Sequence, residues 1–183
     1  MLAADPRIIS AMSHPTVAIL GAGSMGEILA EGLLRAGWET GNLVLVARRE
    51  ERAREVERHT AIEASLDPAA AVAGKDVIVI AVKPKDVDFL LHQIQASVEN
   101  GQVVVSLAAG VPIGVFEQAL PDVAVVRAMP NTPAAVDEGM TAYCGGRYAD
   151  DDALALADMV LAAVGETIRL SEDLLDAVTA VSG

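Results

Sequence analysis

An apolar run, Thr16 to Leu20, passes directly into Gly21-Ala22-Gly23-Ser24-Met25-Gly26 and then into a helical segment from about Met25 to Ala36. No other feature restricts the fold as much. A glycine-rich turn between a buried strand and a helix belongs to a βαβ unit. Gly21 permits the tight turn, Gly23 lets a pyrophosphate approach the backbone, and Gly26 allows close helix–strand packing. The helix N-terminus then offers N–H groups to phosphate. Glycines also serve ordinary turns, and the strand–turn–helix setting is what points to a dinucleotide. Gly37 is placed to end the helix in the left-handed conformation.

The rest of the chain repeats the alternation of short β-branched runs and helical segments, which predicts α/β architecture with parallel βαβ units. Strands are expected at Leu43 to Ala47, Asp76 to Val82, Gln102 to Leu107, Val123 to Met129, Met140 to Cys144 and Glu166 to Leu170. The run VIVIAV after Asp76 is apolar throughout, as in a strand covered on both faces. Helices are expected at Glu50 to Arg58, Pro84 to Val98, Ile113 to Leu120 and Asp151 to Val164. A short one starts at Asp67-Pro68, with Asp as N-cap and Pro at the first helical position, and ends at Gly74. In the segment from Pro84, Val87, Leu90, Leu91 and Ile94 share one face. Ser171 is the expected N-cap of a last helix toward Val181. Its apolar face of Leu174, Leu175, Val178 and Val181 calls for a partner.

Composition narrows the function classes. The chain has 183 residues, 52% of them hydrophobic and 3% aromatic. That hydrophobicity excludes disorder and suffices for a sizeable core. Thirteen Lys and Arg against 26 Asp and Glu leave a net charge of -13, which repels nucleic-acid backbones. Trp38, Phe89, Phe116, Tyr143 and Tyr148 are too few for a base-stacking platform. Cys144 has no cysteine to pair with, which fits a reducing compartment and a cytoplasmic protein. Gly101, Ser106, Gly110, Pro112 and Gly114 interrupt the longest uncharged stretch, so no membrane span is expected. Neither is a signal peptide. Residues 1–14 read as a loose tail, with Met12 an alternative start.

The end of the second strand bears on nucleotide choice. A site for NAD places Asp or Glu there to hold the ribose 2′-OH, whereas this strand runs into Arg48-Arg49. Two guanidiniums suit a 2′-phosphate, so NADP is favoured and NADH stays open. The competing reading is a solvated charged helix, with Glu50 and Arg54 at i,i+4 spacing. It explains the later arginines but not Arg48 and Arg49, because cations at a helix N-terminus oppose the macrodipole.

Three further strand ends face the edge where open α/β sheets bind ligands. Lys83, in Ala81-Val82-Lys83-Pro84, is either a functional lysine or one returning to water. Ala108-Ala109-Gly110 either admits a cofactor ring against the backbone or is a flexible loop. In Met129-Pro130-Asn131-Thr132-Pro133, two prolines hold Asn131 and Thr132 on a stiff loop, or the Asn side chain simply holds a turn. His14, His59 and His92 have no metal spacing and are expected at the surface, and no metal site is expected. No GxSxG elbow is present. Hydride transfer fits better than nucleophilic catalysis, because a cofactor carries the chemistry while the protein orients it.

Together the motifs LGAGSMGE, IAVKP, VVSLAAGV, VVRAMPNTPA, GMTAY and DAVTAVSG, in this order from Thr16 to Gly183, resemble pyrroline-5-carboxylate reductase. The resemblance implies a Rossmann-type, doubly wound, mostly parallel sheet over residues 15–170 that binds NADPH or NADH. Residues 171–183 would start an all-helical domain, absent here, that makes the homodimer or higher homo-oligomer and holds the substrate. It implies that Leu20, Gly21, Ala22, Gly23, Ser24 and Met25 contact the pyrophosphate, and that Arg48 and Arg49 stand at the adenosine ribose. Ala81, Val82, Lys83 and Pro84, with Ala108 and Ala109, would line the groove toward the nicotinamide, and Asn131 would face that ring. Asp67-Pro68 stands where several members carry Asn. The implied reaction reduces the C=N bond of 1-pyrroline-5-carboxylate to L-proline, with no catalytic residue assigned in this chain. The alternatives are a nucleotide-binding module without turnover and another imine or hydroxyacid reductase with a different substrate domain.

Overall fold

The computed structural model describes residues 14–131 and 139–182. The expected tail before residue 14, and Thr132 and Pro133, lie outside it. The strands are β1 (Val17–Leu20), β2 (Leu43–Val46), β3 (Glu63–Ser65), β4 (Val77–Ile80), β5 (Val103–Ser106), β6 (Ala124–Pro130), β7 (Gly139–Gly145) and β8 (Gly165–Arg169). They form one sheet in the order β3-β2-β1-β4-β5-β6-β7-β8. All neighbours pair in parallel except β6 with β7, whose antiparallel register sets Met129 opposite Ala142. Connecting helices are α1 (Ser24–Arg35), α2 (Glu50–Thr60), α3 (Pro68–Val72), α4 (Val87–Ile94), α5 (Ile113–Ala119), α6 (Asp151–Leu161) and α7 (Glu172–Ser182).

The burial of the strands explains the layering. Every residue of β1, β2, β4 and β5 is buried. Successive side chains of a strand point to opposite faces, so such burial demands cover on both. Val17, Ile19, Leu45, Val79 and Val105 enter a core with Leu29 and Leu33 of α1, Val56 of α2 and Leu154 of α6. Ala18, Leu20, Val46, Ile80 and Val104 enter the other, with Val72 of α3, Leu90 and Ile94 of α4, Phe116 of α5 and Leu175 of α7. Each fully buried Ile or Leu adds about 1.5–3 kcal/mol to that driving force.

The elements depart from expectation in three places. β3 was not foreseen, because Glu63-Ala64-Ser65 is short, partly exposed and without apolar alternation. The helix expected over Pro84 to Val98 divides into a 3-10 turn, Pro84–Asp86, and α4, which stops at Ile94. Ser97 and Val98 N–H then both donate to the Ile94 carbonyl in a closing turn, at 2.8 and 3.1 Å. After α6 the chain tightens into a 3-10 turn, Ala162–Val164, that delivers Gly165 at φ 137° beside Gly139. A Cβ at Gly165 would lie 2.0 Å from the Gly139 carbonyl oxygen, so only glycine permits this approach.

Helix α7 docks on this same sheet. Leu175 is fully buried and Val178 packs against the second core, while Leu174 is exposed. Part of the partner its apolar face calls for is therefore this chain; the side chain of Val181 lies outside those described. Arg127 of β6, almost wholly buried, donates to Asp176 at 2.6 Å and to Glu172 at 3.3 Å. Glu172 also accepts from the Ile113 N–H at 2.8 Å, joining α7 to the start of α5.

Candidate functional site

β1 lies between β2 and β4, so the chain leaves it toward one side and later resumes on the other. Such a reversal opens a crevice at the carboxyl ends of the strands. Here it measures about 780 Å³ and is walled by the glycine loop, the ends of β2 and β4, and residues from the β3–α3 and β4–α4 connections.

The three glycines of the loop and the first turn of α1 have different reasons. Gly21 sits at φ 122°, and a Cβ on it would come within 2.8 Å of the Ala81 carbonyl oxygen at the end of β4. The N–H groups of Gly21 and Ala22 both donate to the Val46 carbonyl at 3.0 Å, so the loop is tied to β2 as well. At Gly26 a Cβ would collide with the Gly21 carbonyl oxygen at 2.0 Å. Gly23 differs from both, since a Cβ there would meet no atom within 4 Å. Its φ of -92° suits any residue. Nothing in the described protein requires glycine at 23, which fits a position kept bare for a ligand that approaches the backbone. Gly23 also caps α1 without any side-chain hydrogen bond to the first turn, so that turn can meet a phosphate.

Arg52, from the exposed charged helix of the sequence reading, reaches into this loop. Its Nε donates to the Ala22 carbonyl at 2.8 Å, one Nη pairs with Glu27 of α1, and the other with Glu55 at 2.8 Å. The hydrogen bond that Arg52 donates to Glu55, with Glu27 adding to it against partial burial, holds the guanidinium above its ordinary pKa. Arg52 thus fastens α2 to the glycine loop. Glu50 and Arg54 do form the expected surface pair, at 2.5 Å.

Five cations (Arg48, Arg49, Arg52, Lys83 and Lys85) line the crevice, and Asp86 is the one acid among its lining residues. Asp86 forms an ion pair with Arg48. No acidic partner of Arg49, Lys83 or Lys85 stands among the described residues. Exposed Leu66 and Phe89, with Pro68, add an apolar wall. Pro68 is held by the expected cap, in which Asp67 accepts from the N–H groups of Ala69 and Ala70 at 2.9 and 3.1 Å.

Of the residues singled out from sequence, Leu20, Gly21, Ala22, Gly23, Arg48, Arg49, Ala81, Val82 and Lys83 line this crevice together. Ser24 and Met25 stand just behind it as the first residues of α1, and Pro84 opens the 3-10 turn that follows Lys83. Ala108 and Ala109 follow β5, and Asn131 follows β6, farther along the same sheet edge and outside the crevice lining. The Asn131 side-chain oxygen accepts from the Met140 N–H at 2.9 Å, bridging to β7. Sequence reasoning passed over Arg52, Leu66, Lys85, Asp86, Phe89 and Gln93, whose part depends on which connections meet in space.

Elsewhere, Cys144 is a buried thiol pushed up to about 11 by burial and by Glu172. His14 is half-buried rather than on the surface, stacked on Trp38 with ring centroids 4.7 Å apart. His59 is exposed and meets Glu31 at 3.0 Å, and His92 is exposed too. Among the described residues no cluster of His, Cys, Asp and Glu could hold a metal, and no helix is long and apolar enough to cross a membrane.

Residues 16–110 match the family described as NADP oxidoreductase coenzyme F420-dependent. The chain is 38% identical to the pyrroline-5-carboxylate reductase of Corynebacterium melassecola, an alignment covering 92% of this chain and 64% of that protein. Among solved structures it is similar to a pyrroline-5-carboxylate reductase from Coxiella burnetii, with a TM-score of 0.88 at 28% identity over 93% of this chain and 64% of that one. The Plasmodium falciparum pyrroline carboxylate reductase, solved with NADP bound, gives a TM-score of 0.84 at 25% identity, covering 94% of this chain and 63% of the other. The chain therefore spans less than two thirds of the length of each of these relatives.

Proposed function

The chain belongs to the NADP oxidoreductase coenzyme F420-dependent family, and from that premise we propose that it is the cofactor-binding part of a pyrroline-5-carboxylate reductase. The observation that carries the reading is the crevice itself. A chain of net charge -13 gathers five cations and one carboxylate there among its described residues, around a glycine whose missing side chain no described neighbour explains. NADP(H) is the cofactor such a site takes, because a strand–glycine turn–helix junction suits a dinucleotide pyrophosphate and the guanidiniums at the end of β2 suit a 2′-phosphate.

When bound, the cofactor supplies hydride for the C=N carbon of 1-pyrroline-5-carboxylate, which with a proton on nitrogen gives L-proline. The chain's own residues bind and orient. The Gly21–Gly23 loop and the first turn of α1 receive the pyrophosphate, and Arg52 keeps that loop in place through the Ala22 carbonyl. Arg49, Lys83 and Lys85 balance its charge, while Leu66, Pro68 and Phe89 offer an apolar wall for a flat ring. Ala108, Ala109 and Asn131 mark the direction along the sheet edge in which the nicotinamide would extend. Reduction of a protonated imine needs orientation more than acid–base machinery, so no residue of this chain is assigned as catalytic. The reading carries with it a homodimer or higher homo-oligomer, an all-helical substrate domain beyond residue 170, and a place in the cytoplasm.

Titration of the chain with NADPH and NADH, followed by nucleotide fluorescence, tests the cofactor half. Saturable binding, tighter for NADPH, is expected, and binding of neither would reject it. Protein expressed from the whole reading frame should oxidise NADPH when given 1-pyrroline-5-carboxylate. Binding without oxidation would leave a dinucleotide protein of another substrate class.

A further inference from the structure

Among the described residues Asp86 is the single acid lining a crevice that also carries five cations, and its carboxylate pairs with Arg48 at the end of β2. The Arg48 side chain is 69% exposed and that of Asp86 22%. The guanidinium is thus pulled by a partner rooted on a different element, the 3-10 turn after β4. The end of β2 has no carboxylate of its own. It runs Ala47-Arg48-Arg49, and the next acid, Glu50, is turned to Arg54. A ribose hydroxyl needs an acceptor at that place, and a 2′-phosphate needs a donor. The Arg48–Asp86 pair puts one of each side by side.

We propose that Asp86 is a specificity-determining residue, competing with a 2′-phosphate for the Arg48 guanidinium and standing in for the carboxylate that β2 lacks. The inference rests on the reading of the crevice as a dinucleotide site. A phosphorylated cofactor must draw Arg48 away from Asp86 and then tolerate a second anion next to it. An unphosphorylated one leaves the pair intact and gives its hydroxyl an anionic acceptor. The chain as it stands is therefore a compromise that admits both nucleotides, and removing the carboxylate charge tilts it toward the phosphorylated one.

The test measures dissociation constants for NADPH and NADH by nucleotide fluorescence, on the unsubstituted chain and on Asp86→Asn, Asp86→Ala and Arg48→Ala, with urea melts to verify folding. In Asp86→Asn and Asp86→Ala, NADPH should tighten and NADH weaken, so that the ratio of the two constants moves toward NADPH by at least about threefold, the size expected for one partly exposed charge. In an Arg48→Ala background the same Asp86→Asn change should tighten NADPH less, because only the direct repulsion between carboxylate and 2′-phosphate is then relieved. An unchanged ratio, a weaker NADPH complex, or a gain just as large without Arg48 would each overturn the inference while the dinucleotide reading stands. Failure of the unsubstituted chain to bind either nucleotide would overturn that reading, and this inference with it.

Discussion

Gly23 and Gly26 stand three residues apart, one capping α1 and the other within its first turn, yet their substitution should fail in different ways. Alanine at 26 would place a methyl 2.0 Å from the Gly21 carbonyl. The loop has to move, and Gly26→Ala is expected to cost about 3 kcal/mol or more in a urea melt, at the upper end of overpacking. Alanine at 23 meets empty space. Gly23→Ala should lose about 1 kcal/mol at most, the difference between glycine and alanine as an N-cap. Its NADPH affinity should nevertheless fall roughly tenfold, as expected when a charge-assisted contact is lost. Equal losses of stability in the two variants would contradict this. Cys144 offers a second check on a single residue. Its thiol is raised to about 11 in the folded chain, above the ordinary range of about 8.5 for the unfolded one. Because the folded state holds the proton more tightly, the contribution is full below the unfolded value and is lost as pH rises through about 11. Stability measured across that alkaline window should decline, and the decline should shrink in Cys144→Ala. Equal slopes would sink the assignment.

At the scale of elements, the glycine loop is held in place by a helix that does not contain it. Arg52 joins α2 to the Ala22 carbonyl and to Glu27 of α1. Arg52→Lys keeps the charge but not the forked geometry. It should weaken NADPH binding several-fold with little change in the melting midpoint, whereas an unaltered dissociation constant would show that the loop needs no such tie. This contact also marks the limit of what could be read in advance. The apolar runs VAIL, LVLV, VIVI and VVVS announced strands, VIVI one covered on both faces, and Asp67-Pro68 announced a helix start, because those signals are local. Glu63 to Ser65 carries no apolar signal and becomes a strand only because β2 offers it an open edge. Arg52 looked like one member of a charged helix, since of its two partners, Glu27 and Glu55, only Glu55 lies near it in sequence. Asp86 gave no sign, because its partner sits at the end of another strand.

For the molecule as a whole, the net charge of -13 and the cationic crevice act in opposite directions on an anionic ligand. Charges separated by more than about 10 Å are largely screened at 0.1 M salt, so the nearby cations should dominate the bound state. Raising salt from about 0.05 to about 0.5 M should therefore weaken NADPH binding roughly fivefold or more, because it is chiefly these local attractions that screening removes. Tighter binding at high salt would mean that the global repulsion governs. The strand order has its own consequence. β1 and β4, whose ends carry the crevice floor, each have a neighbour on both sides, whereas among the described strands β3 and β8 stand at the two ends of the sheet with one neighbour each. Amide protons of β1 and β4 should exchange with deuterium most slowly, and those of β3 and β8 first, as the protein opens from its margins inward. A partly opened molecule would then keep its glycine turn while losing the wall that begins at Leu66, and a nucleotide seated there as proposed would be held by its middle and let go at one end.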